Sequence, residues 1–122
     1  MRVAFASAQG THIDQHYGKA KSFFVWEVGP HDAACVGRIV PPQSKEGDSL
    51  EDVLAARADS VADCNILYSL QIGGPAAAKL VNRRVHPMKA IGVTPIAETV
   101  ARLQGVLRNH PPPWLRKLTD RS

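Results

Sequence analysis

The 122-residue chain is 44% hydrophobic and 21% charged, which excludes disorder and suits one compact domain with a real core. No apolar run approaches the ~20 residues that span a bilayer, and MRVAFASAQG is too short in apolar residues for a signal-peptide core; a cytoplasmic protein with no membrane partner is expected. The net charge of +4 favours an anionic partner, but aromatics at 6%, scattered basic residues and the lack of a nucleic-acid motif argue against nucleic acid.

In chain order, Arg2–Ala6 (RVAFA) reads as a buried strand. The connection SAQGTHIDQHYGKAK follows, then a second strand at Phe23–Val28 (FFVWEV). Gly29-Pro30-His31-Asp32 is turn chemistry. Ala34–Val40 (ACVGRIV) is a third strand, closed by Pro41-Pro42. These three should form an antiparallel meander. Asp48 or Ser49 can cap a helix whose apolar stripe is Leu50, Val53, Leu54, Ala58 and Val61.

Asn65–Ser69 (NILYS) predicts a fourth strand. Gly73-Gly74-Pro75 opens a helix over Ala76–Arg83. Met88–Val93 predicts a fifth strand, and Thr94-Pro95 a cap and proline start for a helix carrying Ile96, Val100, Leu103 and Leu107. His110-Pro111-Pro112-Pro113 stops that helix. Residues 1–109 are therefore expected to form one α/β domain, and 110–122 a Pro-rich tail. The prolines favour extended backbone there, with Trp114 more readily folded back on the domain than offered to a partner. The order predicts a mixed five-stranded sheet in a ribonuclease H-like three-layer α/β/α arrangement, with strands four and five parallel to strand one.

That topology predicts a site. The loops after strands one, four and five should leave the same sheet edge, where open sheets bind ligands. His12, His16, Gly73, Gly74 and Thr94 are then expected to share a crevice. Two histidines four apart suit a divalent metal on a helix, but HIDQH offers no third ligand and no acidic residue at its second position. The connection is long, as binding loops often are. Gly18 loosens it, and Lys19 and Lys21 put positive charge beside an imidazole. Gly73-Gly74 before a helix presents free amides to an anion, or serves only as a tight turn. Cys35 and Cys64 lack CxxC spacing and are read as free thiols. Cys64 and His86 belong at the opposite edge and are weaker ligand candidates. No nucleophile–base set or carboxylate pair stands out, so no enzyme is expected.

Asp14-Gln15-His16-Tyr17-Gly18 ahead of an apolar strand resembles the DxHFG-type start of the nitrogenase iron–molybdenum cofactor biosynthesis family, which includes NifX, NafY and the C-terminal domain of NifB. Asp63-Cys64, Ile72 through Val81 (IGGPAAAKLV), His86-Pro87-Met88-Lys89 and the Pro112–Lys117 ending (PPWLRK), which is NifX-like, extend the resemblance over nearly the whole chain. Tyr17 stands where the family has Phe. The resemblance implies a carrier of iron–sulfur precursors of the cofactor (a NifB-co-like cluster) or of the iron–molybdenum cofactor, bound transiently. Its partners would be the cofactor-synthesising and scaffold proteins of nitrogenase assembly. The family's cluster-ligating histidine matches His16, with His12, Tyr17, Lys19, Lys21, Gly73 and Gly74 around it. The alternatives are a module for small anions or nucleotide phosphates, and a ligand-free interaction adapter.

Overall fold

The structure is a computed structural model and describes residues 1–119. Residues 120–122 of the predicted tail lie outside the described residues. The strands are β1 (Arg2–Ala6), β2 (His12–Ile13), β3 (Phe23–Val28), β4 (Ala33–Ile39), β5 (Ile66–Ser69), β6 (His86–Lys89) and β7 (Thr94–Pro95). The helices are α1 (Leu50–Ser60), α2 (Gly74–Asn82), α3 (Ile96–Arg108) and α4 (Pro113–Thr119).

Five strands form one mixed sheet in the order β4-β3-β1-β5-β6. β1 and β5 pair in parallel, as do β5 and β6. β3 runs antiparallel to both β1 and β4. The expected meander and the parallel set are both present.

RVAFA is buried on both faces because it is the middle strand, and its alternation divides the core in two. Ala4 and Ala6 face a cluster with Phe23, Val25, Leu67, Ala58 of α1 and Leu80 of α2. Val3 and Phe5 face Ile66, Val28, Ile96, Val100 and Leu103 of α3, and Leu115 of α4. The small residues on the first side leave room for the 3-10 turn at Tyr17–Lys19, whose Tyr17 is packed inside that cluster.

α1 starts as its sequence dictates. The Ser49 hydroxyl accepts from the Asp52 amide, and the Asp52 carboxylate accepts from the Ser49 amide.

Three expectations are corrected. The last sheet strand is His86–Lys89, not Met88–Val93, because β6 is an edge strand that tolerates Pro87. The apolar residues beyond it are exposed, Ile91 fully and Val93 by 62%. Thr94-Pro95 does not open a helix by side-chain capping; it pairs antiparallel with His12-Ile13, and α3 begins at Ile96. After Pro112 the chain turns helical instead of extended, with Leu115 buried in the second cluster; Trp114 does fold back on the domain as expected, stacked on His86 at 4.2 Å between ring centres.

Nothing in the local sequence marks Gly10 as special. Its φ is +84°, and a Cβ there would lie 2.8 Å from the Phe24 ring. Gly10→Ala is expected to cost about 1–3 kcal/mol through left-handed strain and ring displacement. Urea denaturation checks this; an unchanged midpoint would mean that the loop adapts without strain.

Candidate functional site

The connection after β1 is tied down rather than loose. The Asp14 amide donates to the Ala6 carbonyl at 3.2 Å, the Leu70 amide to the Gln15 carbonyl at 3.0 Å, and the Tyr17 amide to the Gln71 carbonyl at 2.8 Å. Asp14 does not partner an imidazole. Its Oδ1 accepts from the Ala8 amide at 3.0 Å and from Gln15 Nε2 at 3.3 Å, which closes the first half of the loop. The second half is closed by Arg57 of α1, whose Nη1 donates to the carbonyls of Tyr17 (3.1 Å) and Ala20 (2.8 Å). His16 lies between these two fastenings with extended backbone, φ −71° and ψ 143°.

The His16 ring is exposed and makes no hydrogen bond among the described residues. It stands at a cleft of about 360 Å³ between the loop and the start of α2. Tyr17, Gly18 and Lys19 line one side, Gln71, Ile72 and Gly73 the other, and Leu50 and Leu54 of α1 add an apolar wall. Among the described residues no carboxylate lines it. Gly73 has an ordinary φ of −72°, so the turn does not require glycine there. A Cβ at Gly73 would meet only Pro75 Cδ, at 4.0 Å. The missing side chain keeps the cleft open.

The expected crevice is therefore divided. His16, Tyr17, Lys19 and Gly73 come together. Gly74, the first residue of α2, is not among the residues lining the cleft. His12 lies on the β2–β7 ribbon with Thr94; its ring is exposed, with Nδ1 3.1 Å from the Thr11 hydroxyl. Lys21 lines a neighbouring trough. No local signal in the sequence assigns Leu50, Leu54, Gln71 or Arg57 to a site. The helical stripe contained Leu50 and Leu54, but nothing local marks which stripe residues border a cleft.

Tyr17 does not offer its hydroxyl to the cleft mouth. It is 1% exposed, its ring is 5.7 Å from that of Phe23, and the Arg57 guanidinium lies over it at 5.8 Å. Burial pushes the phenol up to about 12, while Arg57 and Arg83 pull the other way. The hydroxyl has no hydrogen-bond partner among the described residues. A buried polar group left unpaired costs ~1–3 kcal/mol. Tyr17→Phe is therefore expected to stabilise the fold by about 1 kcal/mol, read as a higher thermal midpoint. A lower midpoint would mean that the hydroxyl is hydrogen-bonded in solution.

The two weaker ligand candidates lie at the far edge, as expected. Cys64 is buried, and burial pushes its thiol up to about 12. His86 opens β6 beneath Trp114, and burial lowers its basicity. Cys35, on edge strand β4, is exposed. No three His, Cys, Asp or Glu side chains converge as a metal site among the described residues. No helix among them is long and apolar enough to cross a membrane.

The fold and sequence both have relatives. The crystal structure of PH0822 superposes with a TM-score of 0.68 over 86% of this chain and 91% of that one, at 16% identity, which is a likeness of fold. NifY of Azotobacter vinelandii is 39% identical over 96% of this chain and 47% of its own length, so the chain spans about half of that relative. NifX of Herbaspirillum seropedicae is 38% identical over 100% of this chain and 84% of its own. The FeMo cofactor biosynthesis protein NifB of Bradyrhizobium diazoefficiens is 28% identical over 92% of this chain and 25% of its own. The family described as dinitrogenase iron-molybdenum cofactor matches residues 1–105, nearly the whole folded unit. This chain belongs to that dinitrogenase iron-molybdenum cofactor family.

Proposed function

We propose that the chain is a carrier in nitrogenase cofactor biosynthesis. It takes an iron–sulfur precursor of the cofactor, or the iron–molybdenum cofactor itself, from one assembly protein and passes it to the next. The observation that carries this reading is the exposed His16 imidazole at the mouth of a cleft, with neither a hydrogen-bond partner nor a lining carboxylate among the described residues. A neutral imidazole is a good donor to iron. The cargo is a bulky anion that brings its own sulfide ligands, so it needs few from the protein. Lys19 supplies positive charge beside the ring, and the space left at Gly73 admits the sulfide face. One coordinate bond and exposed charge pairs, each worth ~0.2–1 kcal/mol, permit release.

Binding rather than catalysis is the proposed task, since among the described residues the imidazole has no carboxylate to orient it. The ribonuclease H-like assignment is likewise proposed. Three leading antiparallel strands, parallel αβ units and helices on both faces support it.

The test is anaerobic titration of the colourless chain with an isolated iron–sulfide cluster precursor, beside nucleotides as the competing ligand class. Uptake of the dark cluster with a raised unfolding midpoint is expected. Stabilisation by nucleotide and not by cluster would replace the carrier reading with a phosphate-binding one.

A further inference from the structure

Beside the His16 cleft, and sharing Gly18, Lys19, Leu50 and Leu54 with it, runs a larger trough of about 720 Å³. Among the described residues its lining holds four cations, Lys19, Lys21, Arg38 and Arg57, and no carboxylate. Outside the trough four basic residues are ion-paired, while Lys45, Arg84, Lys89 and Arg108 have no acidic partner among the described residues. Arg2 pairs with Glu27 and Asp63, Lys79 with Glu51, Arg83 with Asp59, and Arg102 with Glu98. None of the four trough cations has an acidic partner among the described residues. Arg57 is half-buried, yet its partners are two neutral carbonyls and a ring face. Arg38 lies over the Phe24 ring at 5.9 Å. Charge left uncompensated beside a concave surface attracts anions.

The shape and the rest of the lining say which anion. At about 30 Å³ per water, the trough has room for some two dozen waters, far more than a simple oxyanion fills. Its walls include Val40 and Leu50, which are 62% and 72% exposed and rank among the most exposed large hydrophobic residues of the chain. A lining that sets four cations beside exposed apolar residues matches a peptide that alternates carboxylates with aliphatic side chains.

We propose that the trough docks an acidic, leucine-bearing segment of a partner protein. The partner's identity as a giver or receiver of cargo rests on the carrier reading; the docking itself does not. Lys19 borders both spaces, so a segment seated in the trough brings its protein to the edge of the cargo cleft.

The test uses the apo chain and a short fluorescein-labelled peptide rich in glutamate and leucine, with a glutamine-for-glutamate analogue and citrate as comparisons. Fluorescence anisotropy should show binding that weakens with salt. Lys21→Gln combined with Arg38→Gln should raise Kd at least about tenfold, since both charges face the trough. Both side chains are exposed, so the fold should survive, and circular dichroism verifies it. His16→Ala should leave peptide binding intact, which separates failure here from failure of the carrier reading. Equal binding of the double variant, equal binding of the glutamine analogue, or displacement by citrate at matched charge would each overturn the proposal.

Discussion

His16→Ala is expected to lower affinity for an iron–sulfide cluster by about tenfold or more while leaving the unfolding midpoint unchanged. The first half follows from the loss of the imidazole at the cleft. Tenfold is ~1.4 kcal/mol, a modest demand for a coordinate bond to iron. The second half follows from exposure: the ring makes no hydrogen bond among the described residues, so its removal leaves no cavity and no orphaned partner. His12→Ala is the matching control. It removes an imidazole four residues away on the β2–β7 ribbon, outside the cleft. If both variants lose cluster equally, the ligand is not specified by this geometry.

Arg57→Met is expected to cost about 2–4 kcal/mol of stability. The substitution keeps an apolar stem of similar reach and removes the charged fork. Two charge-assisted hydrogen bonds, to the carbonyls of Tyr17 and Ala20, disappear from a place where both residues are 1% exposed. Hydrogen bonds to charged groups contribute ~1.5–3 kcal/mol each, reduced here by relief of the arginine's own burial. Cluster affinity should fall as well, because this fastening fixes the backbone directly after His16. Chemical denaturation reads the first effect. A loss below about 0.5 kcal/mol would mean that water replaces the guanidinium without penalty.

Part of the candidate site was legible because it follows from topology. Once Arg2–Ala6, Asn65–Ser69 and a later strand are taken as parallel, their outgoing loops must share an edge, and His16 and Gly73 meet there. The helices declared themselves through local chemistry, such as the Ser49–Asp52 capping box. What stayed hidden depends on partners distant in sequence. Arg57 gives no local sign that it will bind the carbonyls of Tyr17 and Ala20. Thr94-Pro95 has the form of a helix start, and only its pairing with His12-Ile13 makes it a strand. Ile91 and Val93 read as strand interior because they are apolar, yet both are exposed. The helix after Pro112 had a usable signal, a proline at its first position, that the preceding proline run obscured. The Asp14 carboxylate shapes the loop rather than partnering an imidazole, which again depends on the folded backbone and not on spacing.

The most direct test loads the chain, labelled with heavy nitrogen in its histidines alone, with a paramagnetic iron–sulfide cluster under anaerobic conditions. Electron–nuclear double resonance should then detect one nitrogen coupled to iron in the parent, and none in His16→Ala. Coupling that survives in the variant, or a parent that binds cluster with no coupled histidine nitrogen, would contradict coordination by His16.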